Sequence, residues 1–348
     1  MTTDANNIAR RYPELPAAAR LDNQMLFRVS GPGTNDFLQG QLSQNLTDVV
    51  AGHSPRAAAS TPKGRAYLLT RLVRDGEDVL LTMPASLADD VAAHLNKYLM
   101  LFRGTSMERL DNGQVFGLIG EAAAGTVAGN ASPVPETINS SLALGSGYLV
   151  RTNATAEGTP RFELWLPQGV DGTLQDILGR LHQVSLAEWN ASEIAAGVPE
   201  LTPETKEAWV PQMLNLQHLE GIHFKKGCYT GQEVIARMHF LGQLKKSLYR
   251  LGVESGEQPA PGSPVMAGEK SVGEVVRAVT FDDGSVQFLA VLRHADAGKD
   301  LFLPGSERPL QVLPCPTRSR NVRQSRQIHK VTGKHVRICY NGTICDVN

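Results

Sequence analysis

In "GRAYLLTRLVRDGEDVLLTM", residues 64–83, apolar side chains alternate along two segments separated by Asp75-Gly76. That is the pattern of a β-hairpin, with Tyr67, Leu69 and Arg71 on one face and Leu68, Thr70 and Leu72 on the other. The next stretch, "SLADDVAAHLNKYLM", changes period. Leu87, Val91, Leu95 and Leu99 form a helical stripe, and Ser86 with Asp89 has the spacing of a capping box. The same succession returns in "RFELWLP", "TLQDILGRLHQV" and "SLAEWNASEIAAGVP". There Ser185 and Glu188 form a second capping-box pattern, and Gly197-Val198-Pro199 stops the helix. A chain that alternates half-buried strands with long amphipathic helices must layer helices on sheets, so we expect an α+β core of two related α/β halves.

After Gly242 only short strand patterns remain, broken by Gly, Pro and Asp-Gly turns, as in "SVGEVVRAVTFDDGSVQFLAVLR". This predicts a small C-terminal β module. Residues 120–147 are rich in small residues, Pro and Gly, and read as a loose connection. The expected division is an N-terminal extension (1–20), an α+β region (21–241), a β domain (242–314) and a basic tail (315–348).

From Pro316 onward seven lysines and arginines face Asp346 alone, whereas the whole chain carries −1. The body is therefore acidic, which argues against a broad nucleic-acid-binding face there. The tail reads as a disordered extension. No apolar run reaches membrane-spanning length and the N-terminus carries no secretory signal, so a cytoplasmic protein is expected. The four cysteines make no C-x-x-C pair and the nine histidines match no zinc spacing, so no metal site is expected. Trp189 and Trp209 read as packing residues.

One stretch asks for chemistry. In "FKKGCYTGQEVIAR", Cys228 follows two lysines and a glycine and precedes what reads as a helix N-terminus. Nearby cations and a helix N-terminus both favour a thiolate. Gly227 and Gly231 permit a tight turn and close approach to a ligand. Gln232 offers a donor and an acceptor to a planar heterocycle, and Arg237 offers a guanidinium to a carboxylate.

"FKKGCYTGQEVIAR", preceded by "GVPELTPETKEAWVPQMLNLQHLEGIHF", resembles the signature of the YgfZ family of folate-binding proteins, whose fold is similar to that of glycine cleavage T protein. "FLQGQLSQNLTDV" and "TPKGRAYLLTRL" extend the resemblance, more weakly, over about Leu21 to Leu313. It implies a folate-binding α+β core followed by a β-barrel-like domain. It implies tetrahydrofolate or a derivative as cofactor, and a role in assembling or repairing iron–sulfur enzymes, including those that methylthiolate tRNA. Partners would be iron–sulfur clients or assembly proteins, with an indirect link to tRNA and none to membrane. Cys228 falls on the family's functional cysteine, and Lys226, Gly227, Tyr229, Gly231, Gln232 and Glu233 match its motif. With Arg237 they are the expected ligand-binding residues.

The sequence leaves two other readings open, a tetrahydrofolate-dependent one-carbon transferase and a non-catalytic scaffold for cluster-assembly partners or RNA. It departs from T protein twice. Tyr67 and Leu68 stand where T protein has two acids, and Ala195 stands where a carboxylate precedes Ala-Gly. Glu193, about 200° around the helix from Ala195, is expected to point elsewhere.

Overall fold

The computed structural model describes residues 16–317 except 130–132, 146 and 243, together with the backbone of a short pair of strands near the C-terminus. Residues 318–336, most of the predicted tail, lie outside the described residues. The terminal strands are Arg337–Tyr340 and Thr343–Asp346, which pair antiparallel.

Three sheets organise the chain. The first is built from β2 (Gln24–Ser30), β3 (Arg56–Ser60), β4 (Ala66–Asp75), β5 (Asp78–Pro84) and β6 (Ser106–Arg109) in the order β3-β4-β5-β2-β6. The predicted hairpin is present, with Asp75 opposite Asp78. The second has six strands: β1 (Ala17–Arg20), β7 (Gln114–Ile119), β8 (Ser141–Leu144), β9 (Gly147–Thr152), β10 (Arg161–Leu166) and β11 (His182–Gln183), in the order β11-β1-β7-β10-β9-β8. Ala17–Arg20, part of the segment read as an extension, thus pairs inside this sheet. The third is antiparallel: β12 (Lys246–Val253), β13 (Pro264–Ala267), β14 (Lys270–Thr280), β15 (Val286–Arg293) and β16 (Gln311–Leu313), ordered β13-β14-β15-β12-β16. It is a separate open sheet and does not close into the barrel that the resemblance implies.

Helices α1 (Thr34–Gln41) and α2 (Ala88–Leu99) accompany the first sheet, and α3 (Glu121–Ala128) and α4 (Gly172–Leu178) the second. Helix α5 (Leu186–Ala196) lies where all three sheets meet, and α6 (Gln232–Phe240) follows Cys228. The α2 stripe is buried as predicted, but the Ser86–Asp89 capping box does not form, because the helix starts one residue later with Leu87 at its N-cap. The Ser185–Glu188 box does form, and Gly197 ends α5 in the left-handed conformation. α4 stops at Leu178, and the following His182–Gln183 joins β1 instead of continuing a helix. The connection read as loose contains α3 and β8, because its alanines and valines pack under the second sheet.

β10 shows why strand periodicity alone misleads here. Phe162, Leu164 and Leu166 pack into one core while Trp165 packs into another between the first two sheets. All six residues are buried because both faces of the strand are covered. Among the described residues no helix is long and apolar enough to cross a membrane.

Candidate functional site

The Cys228 loop joins the three sequence segments that carry the family resemblance. Lys226 is buried, and its Nζ donates to the carbonyls of Gln39 (2.7 Å), Leu42 (2.5 Å) and Gln44 (2.8 Å) at the end of α1. It also sits 4.7 Å from the centre of the Tyr229 ring. Burial pushes the Lys226 ammonium down to about 7. The Thr230 amide donates to Gly40 O at 3.0 Å. Gly231, with φ +82°, caps α6 and lies against the β3–β4 turn. A Cβ there would meet Thr61 O at 2.5 Å and Gly64 Cα at 3.1 Å, so only glycine fits. The 197–224 segment adds Gln212, which donates to Ile235 O at 2.6 Å, and His223, whose amide donates to Ser43 O.

Within this clamp the Cys228 side chain is exposed. Gly227 faces open space, and Tyr229 is buried, its hydroxyl pushed up by burial. Gln232 turns its side-chain carbonyl back to accept from the Tyr229 amide at 3.2 Å. Glu233 is exposed in the first turn of α6 and Arg237 in the last. Lys226 therefore acts as an internal strut, with its three donors spent on carbonyls. We expect Lys226→Met to cost about 1.5–3 kcal/mol, the range for hydrogen bonds to a charged group. Hydrogen exchange at the Thr230 amide should speed up in that variant. Unchanged protection there would show that the strut does not hold the loop.

A second feature lies at the other end of the β3–β4 hairpin. Between the sheets is a cavity of about 70 Å³, several times the ~10–15 Å³ that one water requires. Arg56 of β3 lines it, whereas Ser60, four residues along the strand and roughly 13 Å away at the strand rise, touches the Cys228 loop. None of the motif residues from Lys226 to Arg237 lines the cavity. Its apolar walls come from Leu21, Leu69, Pro84, Val115, Val198, Pro199 and the ring of Trp189. That ring lies flat against Gly117, where any Cβ would meet it at 2.3 Å, and beneath the Arg161 guanidinium at 4.3 Å.

The polar walls are an ion network that the sequence reading did not find. Glu163 accepts from Arg71 Nε at 3.0 Å, Arg56 Nη2 at 3.3 Å and Trp165 Nε1 at 3.1 Å. Arg71 is fully buried and also donates to Ser54 O, Asn139 Oδ1 and Thr152 Oγ1. Burial pushes its guanidinium down to about 10, opposed by Glu163. Glu193 pairs with Arg161, and with Arg277 Nη1 at 3.6 Å. Glu200 accepts from Gln24 Nε2 at 2.7 Å and Asn23 Nδ2 at 3.1 Å. Burial raises the Glu200 carboxyl, with Arg277 opposing and Glu193 assisting.

One sequence expectation changes here. Glu193 does not point away from the centre. α5 is enclosed on nearly every side, so the face opposite Ala195 also meets protein, and Glu193 lines the cavity. Trp189 packs, as expected, but it also forms a cavity wall. The signal for this site was present: Arg71 in "YLLTRLV" and Glu163 in "RFELWL" are charges inside apolar strands, and buried charges need partners. Tyr67 and Leu68 are buried in the core.

The fold and the relatives agree. No protein-family model matches the chain. The tRNA-modifying protein YgfZ of Cronobacter sakazakii is 30% identical over 320 residues, 87% of this chain and 96% of the relative. The chain belongs to the family of tRNA-modifying protein YgfZ. The YgfZ protein of Colwellia psychrerythraea is 28% identical over 311 residues, covering 82% of this chain and 94% of its own. In structure the chain is similar to the glycine cleavage system aminomethyltransferase T of Bartonella henselae, with a TM-score of 0.65 and 19% identity over 90% of this chain and 89% of that one. This YgfZ-family chain therefore has the aminomethyltransferase T fold.

Proposed function

We infer that this protein binds a reduced folate in the central cavity and supports iron–sulfur enzymes that modify tRNA, with Cys228 as the acting thiol. The observation that carries the reading is the exposed Cys228 held on a loop clamped by Lys226, Thr230 and Gly231 against two other family segments. An exposed thiol on a fixed backbone suits transient contact with a sulfur, a cluster or another protein. The name of the relatives, tRNA-modifying protein, agrees with this direction.

The cavity suits a folate ring. Leu21, Leu69, Pro84, Val115, Val198, Pro199 and part of Trp189 give the cavity apolar walls, and two buried polar atoms at its wall, Asn23 Oδ1 and Arg56 Nε, have no partner among the described residues. A bound tetrahydrofolate supplies a one-carbon carrier. The residues that would hold it are those lining the cavity, with Glu163, Arg71 and Arg56 as its polar wall and Leu21, Val115, Val198 and Pro199 as its apolar one. Tyr67 and Leu68 give no carboxylate where T protein has acids, which argues against aminomethyl transfer.

Isothermal titration of the full chain with tetrahydrofolate under reducing conditions tests the cavity, and saturable one-to-one binding is expected. In cells lacking the gene, the wild-type chain should restore methylthiolated tRNA. Absence of binding removes the folate assignment, and absence of restoration removes the tRNA role.

A further inference from the structure

Asn23, in the turn before β2, and Glu200, four residues beyond the end of α5, come from distant parts of the chain and meet at the cavity wall. The Asn23 amide nitrogen donates to Glu200 Oε1, as does Gln24 Nε2. These two amides fill Oε1. The other oxygen, Oε2, has Arg277 Nη2 at 3.7 Å, beyond good hydrogen-bond length. Because Asn23 spends its NH₂ group on Glu200, its carbonyl oxygen is left as an acceptor, and Oδ1 is buried without a partner among the described residues. The wall thus presents two neighbouring acceptors, Glu200 Oε2 and Asn23 Oδ1. Such an edge matches a ligand that offers two adjacent N–H donors on a flat ring, and it rejects one that offers carbonyls there.

We propose that Glu200 and Asn23 read the ring N–H and 2-amino donors of a pterin and so set the ligand selectivity of the cavity. This rests on the folate reading above. Ala195 brings no carboxylate to the cavity, and Glu200 supplies one from beyond the helix end. Trp189 and the aliphatic Val198 and Pro199 line the same space, so the body of a planar heterocycle meets apolar walls while its edge reaches the acceptors. Arg277, held by Asn190 Oδ1 at 2.7 Å, balances the Glu200 charge without occupying its free oxygen.

The test uses the full-length protein, tetrahydrofolate and its 2-desamino-2-methyl analogue, with dissociation constants from calorimetry under reducing conditions. Wild type should bind tetrahydrofolate at least about tenfold tighter than the analogue, since the analogue leaves buried acceptors unpaired. Glu200→Gln should weaken tetrahydrofolate by about tenfold or more and leave the analogue nearly unchanged, so that the preference collapses. Asn23→Ser, smaller and still polar, should lower the preference by a lesser factor. It carries the test if Glu200→Gln fails to unfold cooperatively. Equal binding of both ligands by wild type, or a preference that survives in both variants, overturns the edge assignment and leaves the folate reading standing. Failure of wild type to bind tetrahydrofolate at all overturns the folate reading and the assignment with it.

Discussion

A Glu163→Ala variant should be about 3–5 kcal/mol less stable than wild type, the usual cost of removing one partner from a buried ion pair. Glu163 is the shared acceptor of Arg71 and Arg56, one of them fully buried, and it also satisfies the Trp165 indole N–H. Its removal leaves the buried Arg71 guanidinium without its carboxylate partner. Arg56 and Arg71 are direct neighbours across β3 and β4, so the two like charges would also face each other without the carboxylate between them. Urea unfolding at pH 7 measures the loss, and a change below about 1 kcal/mol would show that solvent or other acceptors replace the carboxylate.

The pH dependence has a definite sign. Burial alone would raise the Glu163 carboxyl, but Arg71, Arg56 and the Trp165 N–H outweigh it and hold it below the usual carboxylate range. A carboxyl with a depressed folded value contributes stability that is complete above its unfolded value of about 4.3. That contribution is lost as pH falls through the folded value. Wild type should therefore lose stability on acidification over that lower window, and the Glu163→Ala variant should lose less.

Cys228→Ser should leave the fold untouched and remove the function. The side chain is exposed, so the change in stability should stay within about 0.5 kcal/mol. Serine keeps the size and a hydroxyl but offers no thiolate at neutral pH. In a cell lacking the native gene, methylthiolated tRNA measured by mass spectrometry should remain at the deletion level when the variant is folded and abundant. Full restoration would show that Cys228 is dispensable and would favour a scaffold role. The Lys226→Met variant separates chemistry from placement, because it keeps the thiol and loosens its loop.

The residues differ in how well the sequence announced them. The α2 stripe, the Ser185 cap and the 64–83 hairpin were legible because local periodicity and capping depend on neighbours within a few residues. The α+β class followed from that alternation, and the Lys-Gly-Cys-Tyr-Thr-Gly-Gln-Glu stretch stood out because its residue types cluster in the chain. The role of Lys226 was not legible. Beside Cys228 in sequence it reads as a cation for a thiol, but in space its donors belong to Gln39, Leu42 and Gln44, more than 180 residues away in the chain.

The same distinction holds for the whole molecule. The sequence by itself determined most of the strands and helices, the strands of the small C-terminal antiparallel sheet, and the cysteine motif, since each rests on short-range chemistry. Only the tertiary structure decided that α5 would be enclosed on almost all sides, turning Glu193 inward. Only it placed Glu163 of the second sheet between two arginines of the first, and set Asn23 against Glu200. Those pairings join segments some ninety to nearly 180 residues apart in the chain. A buried charge seeks its partner through space, and chain order does not encode which distant charge will be there.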